Sequence, residues 1–198
     1  MTIFVGLTGG IAAGKSAALK AFEDCGAAVF STDLAAHRAM EQSRVEELLR
    51  ERWGEAVLDA DGGFDRGAIA EIVFSDPEEL RWLESVLHPE VRRELTEWRQ
   101  ELDPGVAVAV VEVPLLFESG MADAFDTTVA VVAGDEIRKD RLAERGQKAD
   151  EEREGRQLPQ GEKAEKAEHL VRNEGSLEDL AAEIAALYET LITQSESD

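Results

Sequence analysis

Eight consecutive residues near the start of the chain, Gly9-Gly10-Ile11-Ala12-Ala13-Gly14-Lys15-Ser16, have the types and the spacing needed to hold a chain of phosphates. They satisfy the pattern G-x-x-x-x-G-K-[ST]. Glycines let the backbone curl until successive N–H groups point inward at phosphate oxygens. A helix opening near Lys15 would add the positive end of its dipole. In this chemistry the lysine reaches the β- and γ-phosphates of a nucleoside triphosphate, and the Ser16 hydroxyl ligates Mg²⁺. The stretch Gly10, Ile11, Ala12, Ala13, Gly14, Lys15, Ser16 and Ala17 is therefore the expected nucleotide site.

Two acids stand where such a site would use them. Asp33 follows a second apolar run, and ligands of open α/β sheets bind beyond the carboxyl ends of strands. There it could accept a hydrogen bond from a substrate hydroxyl, or it could simply cap a helix beginning at Leu34. Glu112 ends the run Val108–Val111, where an acid contacts Mg²⁺ through water or serves a structural partner. A guanine-specific N-K-x-D element is excluded, because Asn173 is the only asparagine and no lysine follows it.

The elements that must position these residues alternate between strand and helix. Ile3–Leu7, Ala27–Phe30, Val106–Val113, Thr127–Val132 and, more faintly, His169–Arg172 read as strands, and Lys15–Asp24 reads as a helix stopped by Gly26. This predicts an α/β domain with a parallel sheet. Between residues 34 and 104 no strand is expected. Val45–Arg52, Arg66–Phe74, Glu78–Leu87 and Val91–Leu102 read as amphipathic helices, with Trp53, Trp82 and Trp98 as core anchors. Pro89, between the last two, reads as a helix starter. Residues 138–166 carry nine of the 21 basic residues, interleaved with acids, as in a salt-bridge-laced helical pair.

Composition sets the partners. The formal charge is -22, a field that repels nucleic acid and anionic membranes, so neither is an expected partner, and the phosphate site must supply its own positive charge. Cys25, the one cysteine, reads as a small buried apolar residue, and the chain can form no internal disulfide. No apolar run approaches the roughly 18 residues of a membrane span. A cytoplasmic enzyme, monomeric or weakly self-associating, is expected.

Taken in order, these stretches resemble the dephospho-coenzyme A kinase family. The likeness is carried by Gly6-Leu7-Thr8-Gly9-Gly10-Ile11 leading into Gly14-Lys15-Ser16, then Asp33, Leu87-His88-Pro89 with Val91-Arg92, and Val113-Pro114-Leu115-Leu116-Phe117-Glu118. It continues through Arg141 and Arg145, Arg153, Gln157, Pro159 and Lys163, and Asn173-Glu174-Gly175. The resemblance implies a P-loop core with a five-stranded parallel sheet (1–33, 105–137 and 167–198), a helical lobe for the substrate (34–104) and a lid (138–166). It also implies transfer of the ATP γ-phosphoryl group, with Mg²⁺, to the ribose 3′-hydroxyl of dephospho-coenzyme A. On that reading Asp33 orients the hydroxyl and takes its proton. Arg141 and Arg145 close on the transferring phosphate, and His88, Arg92, Pro114 and Leu115 face the acceptor. Ala12 and Ala13 replace the family's usual Gly-Ser, Ala17 a threonine, Ser31 a first aspartate, and Glu168 an aspartate. Another small-molecule kinase on the same core, such as one acting on nucleoside monophosphates, and a nucleotide-binding regulatory protein are the alternatives.

Overall fold

The computed structural model describes residues 1–59, 63–144 and 157–195. It separates into two compact units, Met1–Thr32 with Leu102–Asp198, and Asp33–Glu101. The first is built on five parallel strands: β1 (Ile3–Gly9), β2 (Ala28–Ser31), β3 (Val108–Glu112), β4 (Thr127–Val132) and β5 (His169–Arg172). Their order across the sheet is β2-β3-β1-β4-β5, so β1 lies at the centre. β1 pairs with β3 from Ile3 opposite Val108 to Leu7 opposite Glu112, and with β4 from Val5 opposite Thr127 to Gly9 opposite Val131. β3 and β4 are buried along their whole length, which explains their unbroken runs of valine and alanine.

Helices α1 (Lys15–Asp24) and α8 (Leu177–Ser195) pack on one face of the sheet. There Val5, Leu7, Val108, Val110, Val129 and Val131 meet Ala18, Phe22, Leu180, Ile184 and Leu191. Each such valine, leucine, isoleucine or phenylalanine, fully buried, contributes about 1.5–3 kcal/mol of apolar transfer. On the other face Gly6 is required by close packing, since a Cβ there would stand 2.9 Å from the Phe125 ring and 3.0 Å from Leu116. Cys25 is half-buried at the edge of the core rather than inside it, and burial pushes its thiol up. Two further helices of this unit, α6 (Asp135–Glu144) and α7 (Gln160–Lys166), follow β4 and precede β5.

The second unit is helical: α2 (Thr32–Met40, starting on the last residue of the first unit), α3 (Ser43–Trp53), α4 (Arg66–Ser75) and α5 (Pro77–Gln100). Its core gathers Val45, Leu49, Val57, Ile69, Val73, Leu83 and Leu87, with Trp53 and Trp82 packed edge-on at 5.0 Å. Trp98 is half-buried outside that cluster. Two expectations are corrected here. Glu78–Leu87 and Val91–Leu102 are one helix that runs through Pro89; the proline that starts it is Pro77, behind an Asp76 cap. Helix α2 begins at Thr32 rather than Leu34, so Asp33 lies inside its first turn and does not cap it. Among the described residues no helix is long and apolar enough to cross a membrane.

Candidate active site

All five strands are parallel, so their carboxyl ends share the edge of the sheet that carries the loop between β1 and α1. Gly9 ends β1 and could not be otherwise, because a Cβ at its φ of 155° would lie 2.3 Å from the Val131 carbonyl oxygen. Gly14 takes φ 101° at the mouth of α1, where a Cβ would meet the Asn173 amide at 2.0 Å. No acid lies in the first turn of α1, so no neighbouring carboxylate on that turn competes for its positive end. Ala12 adopts φ 58°, the only non-glycine residue among those described in the left-handed region. An alanine there carries a Cβ in a region that sterically favours glycine, so the loop is strained at this residue.

Cations surround the loop and bond its backbone. Lys15 Nζ donates to the carbonyls of Gly9 (3.3 Å) and Gly10 (3.1 Å). Arg138 Nε donates to the Ile11 carbonyl at 2.8 Å. Arg141 Nη1 reaches the carbonyls of Ala12 (3.4 Å) and Ala13 (3.3 Å), and its Nη2 donates to the Asn173 side chain at 3.2 Å. Asn173, just past β5 and 2% exposed, returns a bond from Nδ2 to the Ala13 carbonyl at 2.9 Å, while its own amide bonds the Val132 carbonyl. Gln160, on α7, uses both ends of its amide on Ala133 after β4 and lies against Gly10. Thus carbonyls from Gly9 to Ala13 are held from outside by three positive side chains and one buried amide.

On the β3 side, the Thr32 hydroxyl donates to the Glu112 carbonyl at 2.9 Å and ties the end of β2 to the end of β3. Glu112 is 5% exposed. The segment Pro114–Gly120 turns rather than continuing as a regular element. The Pro114 carbonyl accepts from Thr8 Oγ1 (3.2 Å) and from Lys163 Nζ (2.5 Å). Lys163 also pairs with Glu118 at 2.9 Å, and Glu118 accepts the Leu158 amide at 2.7 Å. Burial pushes the Lys163 ammonium below the ordinary lysine range, against the pull of Glu118. Burial would raise Glu118, yet backbone amides and the Lys163 ammonium together hold it below the usual carboxylate range. Glu118 Oε2 and Gln157 Oε1 are buried without a hydrogen-bond partner among the described residues.

Among the expected site residues, the structure brings Gly10 to Ala17, Glu112, Pro114, Leu115 and Arg141 into this one unit at one edge of the sheet. Asp33, His88 and Arg92 belong to the helical unit. Asp33 is exposed, and its carboxylate has no partner among the described residues. His88 and Arg92, four apart on α5, are both exposed. Arg145 and Arg153 lie outside the described residues. Sequence reasoning gives no loop-holding role to Arg138, Gln160 or Asn173; for Asn173 the available signal is its singularity and its place directly after a strand.

The donor set around Ser16 suits a magnesium ion carried in with phosphates. Ser16 is exposed with a hydroxyl free of partners among the described residues. No group of three or more His, Cys, Asp or Glu that could hold a metal occurs among them either. Mg²⁺ is ordinarily held by few protein ligands together with water and substrate phosphates.

The chain matches the family model described as Dephospho-CoA kinase over residues 3–179. It is 36% identical to the Dephospho-CoA kinase of Bacillus licheniformis over 195 residues, covering 96% of this chain and 97% of that one. A protein of known structure from Thermus thermophilus superposes with a TM-score of 0.80 at 41% identity, covering 95% of this chain and 97% of the other. The dephospho-CoA kinase from Campylobacter jejuni does so at 0.70 and 26% identity, covering 98% and 99%.

Proposed function

The chain belongs to the dephospho-CoA kinase family and is a kinase that phosphorylates dephospho-coenzyme A to coenzyme A, and from that premise we propose how its own residues divide the work. The phosphate loop is the observation that carries the reading: strained and glycine-dependent, it is backed by cations and opens onto a helix free of acid in its first turn. ATP is the donor. Lys15 exchanges the carbonyls of Gly9 and Gly10 for the β- and γ-phosphates, a short move for a flexible four-carbon stem. The residues from Gly10 to Ala17 supply amides and space. Ser16 would hold Mg²⁺, with Glu112 in its hydration shell, and the ion would neutralise charge on the phosphates.

Asp33 receives the proton of the ribose 3′-hydroxyl as that oxygen attacks. Its carboxylate, without a partner among the described residues and one residue beyond the Thr32–Glu112 bond, supports the role. Arg141 adds positive charge at the mouth of the loop, supported by its bonds to Ala12 and Ala13, and Arg145 is assigned the same duty. Phosphoryl transfer passes through a loose transition state, so positioning and charge dominate over covalent participation.

Residues 34–104 serve the acceptor, with His88, Arg92, Pro114 and Leu115 facing it. Arg92 is exposed and without an ion-pair partner among the described residues, whereas its neighbour Arg93 is paired twice. Residues 138–166 act as the lid, and the enzyme works in the cytoplasm on these small molecules as a monomer or weak homo-oligomer. A coupled assay of ADP release with and without dephospho-coenzyme A, followed by mass identification of the product, tests the reading. Release that is indifferent to the acceptor would overturn it.

A further inference from the structure

Lysine is among the residues least often wholly buried, and an ammonium leaves water at a cost unless its hydrogen bonds are replaced. Lys163 has no exposed surface. Its Nζ holds the first residue of the turn after β3 through the Pro114 carbonyl at 2.5 Å, and the fifth through Glu118 at 2.9 Å. The same carbonyl also accepts from the hydroxyl of Thr8, the residue that leads into the phosphate loop. One helical turn earlier on α7, Gln160 grips Ala133 through both ends of its amide and touches Gly10. The short helix α7 therefore joins two things that must be in register, the loop on its Gln160 side and the Pro114–Glu118 turn on its Lys163 side.

We propose that Lys163 is a positioning residue for the acceptor half of the reaction, its buried ammonium holding the Pro114–Glu118 turn at a fixed distance from the phosphate loop. This rests on the reading of Pro114 and Leu115 as acceptor-facing residues. An apolar side chain of similar length would fill the same volume, and replacing a buried ion pair in this way is often neutral for stability. What it could not do is hold the Pro114 carbonyl. The loop keeps its independent ties to Arg138, Arg141 and Asn173, so triphosphate binding does not depend on this contact.

The test is the double variant Lys163→Met with Glu118→Gln, which removes the pair without stranding a buried carboxylate. Thermal melting, calorimetry with ADP, and steady-state kinetics with both substrates are measured beside the parent. The expected result is parent-like melting and ADP affinity, with kcat/KM for dephospho-coenzyme A reduced about 10²-fold, the cost of a misplacement near 1 Å. Parent-like kcat/KM overturns the proposal, as does an equal loss of ADP affinity. A parent that shows no acceptor-dependent turnover would instead count against the proposed function.

A second measurement needs no variant. The chain has six lysines, Lys15, Lys20, Lys139, Lys148, Lys163 and Lys166, so ammonium-selective NMR of the ¹⁵N-lysine-labelled protein can isolate the slowly exchanging buried one. Its signal should shift with saturating dephospho-coenzyme A and stay in place with ADP. No shift with the acceptor, or the same shift with both, overturns the proposal.

Discussion

Ala12 holds the least comfortable backbone in the site, with φ 58° in a region that costs an L-residue about 1–2 kcal/mol. Ala12→Gly should therefore leave stability unchanged or raised in urea denaturation. Ala13→Gly, at a buried position without a positive φ, should lose about 0.5–1 kcal/mol in the ordinary way. Equal losses at both positions would show that the loop strain is not felt. Asp33→Asn should lower turnover about 10²–10⁴-fold while nucleotide affinity survives, since on the proposed reading it removes only the proton acceptor. Near-parental turnover would reduce Asp33 to a surface acid. The loop is legible in the sequence because its parts are contiguous and each residue type has one physical reason to be there. Asn173 and Arg138 are not legible as its supports, because they reach it across 160 and 127 residues and an amide or a guanidinium has many ordinary uses. Lys163 is legible as one charge in a basic stretch and as part of the family likeness, but nothing local in the sequence says that it is buried.

Helices α3 and α5 are joined by a small polar network that binds the lobe's aromatic residues. Arg52 meets both oxygens of Glu79 at 2.8 and 2.9 Å, the Trp53 indole donates to the same carboxylate at 2.8 Å, and Arg52 lies over Trp82 at 5.1 Å. The Arg52 bonds, and then the Trp53 bond, hold Glu79 below its usual range. Because the folded-state value is depressed, the unfolded chain takes up the proton first on acidification. The stabilisation is thus complete above the ordinary glutamate range and disappears as pH falls through the lowered value. Urea unfolding followed by tryptophan fluorescence should become easier between pH 7 and about 3 in the parent by more than it does in Glu79→Gln. Identical pH dependence would remove Glu79 from the account. Periodicity finds these helices, but it divides α5 in two, because proline lacks the N–H that would bond the Ser85 carbonyl and costs roughly 3 kcal/mol inside a helix. The leucine stripe Leu83, Leu87 and Leu95, each buried, carries the helix across that defect. Such tertiary compensation is invisible in a local window. In the sheet, the strands are legible from their apolar runs, β5 only faintly, and their direction from the alternation with helices, whereas the order β2-β3-β1-β4-β5 is a long-range choice that no single run contains.

At the scale of the whole molecule, charge dominates. With 43 acids against 21 bases, self-repulsion opposes compaction in dilute buffer. Salt shortens its range to about 3 Å at 1 M, so melting should occur at clearly higher temperature in molar potassium chloride than in dilute buffer. Equal melting temperatures would argue against the effect. The loop's ring of Lys15, Arg138 and Arg141 gives the same imbalance a kinetic meaning. An incoming polyanion must first climb a hostile far field before it feels the small welcoming patch, and ions in solution flatten the climb more than they weaken the close embrace. Many charge-guided enzymes are slowed as brine thickens; capture of nucleotide by this one should quicken.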